Sequence, residues 1–184
     1  MNWQQQITNY EPTNEQEAAD QQLFLKCMQA FDQILTRDNE IAHVTCSAFV
    51  VNKARTKTLM VHHNIYHSWS WTGGHADGET DFLSVALREV QEETGVSHLQ
   101  PVTPDIFSLD VLTVVGHMKK GKFISPHLHL NVAYLIEADE EHALTVAEEE
   151  NSGVAWLPID KIDEYSSEEH MKPIYHKIIA KMNA

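Results

Sequence analysis

Gly73-Gly74-His75-Ala76-Asp77-Gly78-Glu79 leads, eight residues on, into Arg88-Glu89-Val90-Gln91-Glu92-Glu93-Thr94-Gly95-Val96. The first part is a glycine-rich loop, and the residues after it have helical periodicity. Leu83, Ala86, Leu87 and Val90 recur as one buried stripe, Thr80 or Asp81 is a credible N-cap, and Gly95 stands where a C-terminal cap takes positive φ. On such a helix Glu89, Glu92 and Glu93 are related by i,i+3 and i,i+4 steps and project from one face. Three like charges there repel one another, and a divalent cation among them would relieve the repulsion. The plainer alternative is a solvated acidic face. Because the glutamates flank the apolar stripe, the helix can sit on a sheet with its acidic edge turned towards a cleft.

The flanks of this stretch read as strands. Ile41 to Val51 is apolar and partly β-branched, residues 52–57 form a turn, and Thr58 to His63 pairs back. Trp69 and Trp71 alternate just before the glycines and share a side of an extended segment, either walling a pocket or covering core. Downstream, Ile106 to Val115 is strongly β-forming and Lys119-Lys120-Gly121-Lys122 suits a hairpin tip. His127 to Ile136 returns with Leu128, Leu130, Val132, Tyr134 and Ile136 on one face and His127, His129 and Asn131 on the other. Residues 137–153 form an acidic loop containing Glu148, Glu149 and Glu150. A short strand, Gly153 to Leu157, comes next. Pro158 opens a helix to about Tyr165, and residues 168–182 close the chain with another.

At the other end, residues 1–12 read as an irregular, glutamine-rich lead-in. Thr13 offers an N-cap for a helix over 13–36 whose buried stripe is Leu23, Cys27, Ala30, Phe31 and Ile34. The order helix, strands, helix, strands, helices predicts an α/β (α+β) sandwich with a mixed sheet between helices, and an N-terminal helix added to it. Residues 1–40 are expected to be a helical extension packed on a domain spanning 41–184.

A length of 184 residues suits one domain with a sizeable core. The net charge of −14 opposes nucleic acid or an anionic membrane as main partner, since the long-range field repels both. A phosphorylated small molecule needs metal ions or a basic patch to approach. Two cysteines, Cys27 and Cys46, without paired spacing give neither a disulfide framework nor a zinc motif. With no apolar signal region and no run of membrane-span length, the expected location is the cytoplasm. The N-terminal helix is a candidate homodimer interface.

Arg88, Glu89, Val90, Glu92, Glu93, Gly95 and Val96, with Gly74 upstream, make this stretch similar to the Nudix box, GX5EX7REUXEEXGU, the signature of Nudix hydrolases. One position departs: strict spacing from Gly74 puts Thr80 where the first glutamate belongs, and Glu79 lies one residue earlier. The resemblance implies the Nudix fold and a pyrophosphohydrolase that cleaves the diphosphate of a nucleoside diphosphate linked to another moiety, such as ADP-ribose or another nucleotide sugar. It implies Mg²⁺ or Mn²⁺ held by Glu89, Glu92, Glu93 and the Gly74 carbonyl, with Arg88 bracing a box glutamate. The hard-oxygen donor set suits Mg²⁺. Glu93 is the first choice of general base, with the loop glutamates Glu148, Glu149 and Glu150 as alternatives to it. Glu79, Trp71, His127, His129 and Asn131 are the candidate substrate-binding residues. Two other readings stay open. A non-catalytic Nudix-like nucleotide sensor would bind without turnover. An isopentenyl diphosphate isomerase-type enzyme would need a cysteine in the loop before the helix, and Trp71-Thr72-Gly73-Gly74 has none.

Overall fold

The computed structural model describes residues 2–119 and 121–184; Lys120, within the expected hairpin tip, lies outside them. Period-2 alternation in β1 (Ala42–Asn52) sorts its side chains between two separate apolar clusters. Val44, Cys46, Ala48 and Val50 enter one, and Phe49 and Val51 the other. β9 (His127–Ala138) runs parallel to β1 in continuous register from Ala42 opposite Leu128 to Asn52 opposite Ala138. Leu130, Val132, Tyr134 and Ile136 join the first cluster while Ala133 and Leu135 join the second, as its alternation predicts.

Around this pair the sheet has the order β10 (Asn151–Pro158), β2 (Lys57–His63), β1, β9, β5 (Leu99–Pro101). β2 and β10 continue it antiparallel on one side, and β5 lies on the other. β3 (Ser68–Ser70) adds to β2, β4 (Thr72–His75) to β1, and β6 (Ser108–Val114) to β9. A separate hairpin pairs β7 (His117–Lys119) with β8 (Lys122–Ile124). On one face lie α1 (Trp3–Thr8), α2 (Glu15–Ala30) and α3 (Phe82–Thr94); on the other, α4 (Ile162–Tyr165) and α5 (Lys172–Met182) cover the second cluster with Ile162, Ile174, Tyr175 and Ile178. This is an α/β/α sandwich on a mixed sheet. Each fully buried large side chain, such as Tyr175 or Phe24, contributes roughly 1.5–3 kcal/mol over an exposed one.

Three local departures from the sequence reading have physical causes. Residues 1–12 are not wholly irregular: Asn2 and Gln5 form a reciprocal capping box that starts α1, and Ile7 is fully buried. α2 is capped by Asn14 instead of Thr13, stops at Ala30, and buries Glu17, Gln21, Phe24 and Cys27, leaving Leu23 exposed. Half of that buried face is polar, so apolar periodicity recovers Cys27, Ile34 and the partly buried Phe31 but misses Glu17, Gln21 and Phe24 and wrongly includes Leu23 and Ala30. Gln21 Nε2 donates to the Ile7 and Tyr10 carbonyls at 2.9 and 2.8 Å, and Glu17 accepts from Thr13 and meets Lys177. Finally, Thr72 to His75 form a strand, not a loop, pairing with Thr45–Ala48, and the missing Cβ of Gly73 allows the close approach to Cys46 and Ser47.

Candidate active site

α3 carries the acidic residues, and its ends are well defined. Asp81 accepts the Ser84 N–H at 3.2 Å, and Gly95 ends the helix at φ 78° with its N–H on the Gln91 carbonyl. A Cβ on Gly95 would also stand 2.9 Å from Thr145. Phe82, Val85, Ala86 and Val90 anchor the helix to the sheet, with Leu83 and Leu87 partly buried beside them. That stripe holds the acidic edge against β4.

Glu93 is buried at 6% exposure. Its carboxylate accepts the backbone N–H of Gly73 at 3.0 Å and Asn151 Nδ2 at 3.2 Å. Burial pushes its carboxyl up to about 7 against those two hydrogen bonds, and the charges of Glu89 and Glu150 add to the shift. Glu89 is half-buried against Gly74, so close that a Cβ on Gly74 would stand 2.3 Å from the carboxylate carbon. Burial and then the charge of Glu92 raise the Glu89 carboxyl. Glu92 is exposed. Arg88 lies among these charges: Nη1 donates to Glu79 at 2.6 Å, Nη2 is 3.6 Å from Glu89, and Nε is 3.8 Å from Glu92. Glu79, one position off the box spacing, is therefore the nearest ion-pair partner of Arg88.

Gly73, Gly74, Arg88, Glu89 and Glu93 open onto a cleft of about 900 Å³ that Glu150, Trp71, His127, His129 and Asn131 also line. Glu79, Glu92 and Glu149 are not among its lining residues. Trp71 is 8% exposed and stacks edge-on against Tyr175 at 5.6 Å, so it serves core and cleft wall at once. Asn131 is fully buried; its Oδ1 accepts from Thr45 Oγ1 at 3.0 Å and Ser47 Oγ at 2.8 Å, while its Nδ2 has no partner. His127 and His129 stand together, their Nε2 atoms 3.2 Å apart. Burial pushes His129 down to about 2 and His75 down to about 3, so both imidazoles are neutral. Cys46 lies opposite Gly74 in the strand register, fully buried, with burial raising its thiol far from the thiolate range.

Several cleft residues escaped the sequence reading. Arg37, whose Nε donates to Asp77 at 2.9 Å, Tyr66, Lys119 and His43 all line it. For His43 a signal exists: His43, Thr45 and Ser47 place polar groups on alternate positions of an otherwise apolar strand, which marks one face as a cleft floor. Arg37 and Tyr66 lie in connecting segments, where periodicity carries no information.

A sequence model of the NUDIX domain matches residues 41–180, and the chain belongs to that family. It is 31% identical over 107 residues to the asymmetrical bis(5'-nucleosyl)-tetraphosphatase of Rattus norvegicus, a match covering 58% of this chain and 66% of that protein. The aligned part thus spans just under two thirds of that relative's length. Among solved structures, an Ap4A hydrolase of C. elegans superposes with a TM-score of 0.53 at 18% identity over 76% of this chain and 97% of the other. The E. coli dihydroneopterin triphosphate pyrophosphohydrolase gives 0.57 at 13% over 77% and 96%, and a NUDIX family hydrolase of Clostridium perfringens gives 0.55 at 17% over 76% and 97%. At these identities the structural likeness establishes the fold alone. No helix among the described residues is long and apolar enough to cross a membrane.

Proposed function

We propose that the protein is a Mg²⁺- or Mn²⁺-dependent pyrophosphohydrolase of a nucleotide-type substrate, acting by water attack at phosphorus. The observation that carries this reading is the pair Glu89 and Glu93, held against the Gly73-Gly74 backbone at the wall of a cleft of about 900 Å³. That volume lies in the range of small-molecule sites. The donors fit a hard divalent ion. Both carboxyls are raised by burial and by neighbouring carboxylates, which is the electrostatics of an anionic site short of positive charge. Glu89, Glu92, Glu93 and the Gly74 carbonyl would hold the ion. When bound, it would neutralise charge on the diphosphate oxygens and acidify the attacking water.

The chain's own groups supply the rest. Gly73 N–H and Asn151 fix the Glu93 carboxylate, which holds it in one orientation to accept a proton from the attacking water. Glu93 is therefore the proposed base. Glu150, exposed at the same cleft, is the second choice, ahead of Glu149. Arg88, bound to Glu79, orients the acidic edge. His127, His129, Asn131 and Trp71 form the part of the cleft that would meet the substrate. Residues 1–40 are read as an extension of the catalytic domain, and the proposed location is the cytoplasm.

The rat relative's name puts bis(5'-nucleosyl) tetraphosphates beside ADP-ribose and nucleotide sugars as first compounds to assay. Released AMP or phosphate is measured with Mg²⁺ and with Mn²⁺ for the wild type and for Glu92→Gln and Glu93→Gln. Turnover of at least one compound, falling 10²-fold or more in Glu93→Gln, is expected. Undiminished turnover in both variants would refute the metal-site assignment. Tight binding with no turnover across the panel would favour a sensor.

A further inference from the structure

On the cleft floor, outside the carboxylate cluster, three adjacent strands each present one histidine. His43 of β1 faces His129 of β9 in register, and His75 of β4 lies opposite Thr45, two residues along β1 from His43. All three therefore project from one face of the sheet. One ring nitrogen from each lies within 4.8 Å of the others. Ring centroids are 5.0 Å apart for His43 and His75, and 5.1 Å for each of these rings with His129.

Two further observations point to a missing ligand. His43 is 4% exposed; its Nδ1 donates to the Asn39 carbonyl at 2.8 Å, and its buried Nε2 has no hydrogen-bond partner. A carbonyl on one ring nitrogen fixes the tautomer and presents the other nitrogen's lone pair, the usual arrangement around a metal-bound histidine. His127 also has its Nδ1 on a carbonyl, that of Ser125 at 2.8 Å, and its Nε2 is hydrogen-bonded to His129 Nε2 at 3.2 Å, a bond that a metal ion between the two nitrogens would replace. Two imidazoles on one tetrahedral zinc, at about 2.0–2.1 Å each, stand about 3.3 Å apart by simple geometry. Imidazole nitrogens favour such ions, whereas Mg²⁺ favours the oxygens of the glutamates.

We propose that His43, His75 and His129 form a second metal site, taking a transition ion of the Zn²⁺ type, with His127 able to close the fourth position. The site stands on the histidine geometry and does not depend on the hydrolase reading. Where His127 stays off the ion, the fourth position opens onto the cleft and is available to an anionic oxygen of a bound ligand.

The test uses the full chain, without a histidine tag and stripped by chelator, in excess Mg²⁺ so that the carboxylates are occupied. Titration with Zn²⁺ by calorimetry, and with Co²⁺ by visible absorption, is expected to give one tight equivalent and the intense bands of a four-coordinate ion. A His43→Gln/His129→Gln variant should lose at least 100-fold in affinity, while Glu93→Gln should keep the wild-type value. Should the double variant not fold, the wild type still decides: imidazole ¹⁵N resonances of His43, His75 and His129 must move together on Zn²⁺ addition. No uptake by the stripped wild type, resonances that stay in place, or affinity that vanishes in Glu93→Gln instead would overturn the proposal, leaving a hydrogen-bonded histidine cluster.

Discussion

The two glycines before α3 are both tightly enclosed, yet alanine at each should have opposite consequences. A Cβ on Gly73 would lie 2.8 Å from the Cys46 carbonyl oxygen and from Ser47 Cα, and 2.6 Å from Ser47 Oγ. Two of those three atoms are backbone of the neighbouring strand, so relief requires β4 to move off β1. Overpacking of this kind costs typically about 1–3 kcal/mol. A Cβ on Gly74 meets only the Glu89 carboxylate, at 2.3 Å for Cδ and Oε2 and 2.7 Å for Oε1. That group is the far end of a flexible side chain. It needs to withdraw by about 1 Å to reach ordinary contact, at an off-rotamer cost of about 0.5–1.5 kcal/mol. The loss is offset by the roughly 0.4–1 kcal/mol that alanine gains over glycine in the unfolded chain. Gly74→Ala should thus leave urea stability within about 1 kcal/mol of wild type while moving a carboxylate out of the proposed Mg²⁺ site. Displacing one metal-holding group should lower Mn²⁺ affinity about 10–100-fold, the range seen when a ligand's supporting shell is disturbed. Urea unfolding of both variants and Mn²⁺ binding followed by electron paramagnetic resonance measure the two quantities. If Gly74→Ala unfolds as easily as Gly73→Ala, or binds Mn²⁺ at wild-type strength, the assignment of Gly74 to accommodating Glu89 is wrong.

Other expectations arise from the buried charges. In chelator-treated protein, Glu93 has a folded carboxyl near 7 against 4.5 for the free side chain, so between those values the folded state holds a proton that the unfolded state releases. The Glu93 contribution to stability should fall as pH rises from about 4.5 to 7, by up to about 3 kcal/mol at about 1.4 kcal/mol per unit, against the opposite trend set by the buried, neutral His75 and His129. Glu93→Gln should remove that slope, and melts of both proteins at pH 5 and pH 8 with equal slopes would contradict it. Separately, Lys177 lies 3.1 Å from Glu17 and 2.5 Å from Asp110, with all three side chains buried where α5, α2 and β6 meet. Lys177→Met leaves two carboxylates without their cation and should cost about 3–5 kcal/mol in urea unfolding; a loss under about 1 kcal/mol would show that the network contributes little.

These same residues explain what is legible in the chain alone. Strand and helix assignments around α3, β1 and β9 rest on strong periodicity, and Leu130, Val132 and Tyr134 lie on the face their alternation demands. The buried stripe of α2 is only partly legible because Glu17 and Gln21 are buried through partners remote in sequence: Lys177, the Ile7 carbonyl and the Tyr10 carbonyl. No local pattern announces a buried glutamate whose counter-charge lies on the last helix. The spacing of Glu89, Glu92 and Glu93 puts them on one helix face, but it cannot separate their environments. Glu93 is buried on Gly73, Glu89 is half-buried on Gly74, and Glu92 faces solvent. Glu79 is legible only as an irregularity of spacing, whose structural counterpart is its ion pair with Arg88.

Gly73, Gly74 and His75 also show how one short strand can serve two chemically different clusters. β4 pairs only with β1, so its outer edge is unpaired by any strand among the described residues, and the Gly73 N–H is able to donate to Glu93. Alternation along a strand sends successive side-chain positions to opposite faces. Gly74 therefore fronts the α3 face, where its missing Cβ leaves room for Glu89, while His75 fronts the face that carries His43 and His129. Oxygen donors and imidazole donors are thereby kept apart by the thickness of one backbone, although both open onto the same cleft. Inserting one residue between Gly74 and His75 would break this division, because a single-residue slip turns His75 to the wrong face. Such an insertion should abolish Co²⁺ binding at the histidines while the Gly73–Glu93 hydrogen bond, upstream of the slip, stays in place. Equal Co²⁺ affinity with and without the inserted residue would mean that His75 is not a ligand.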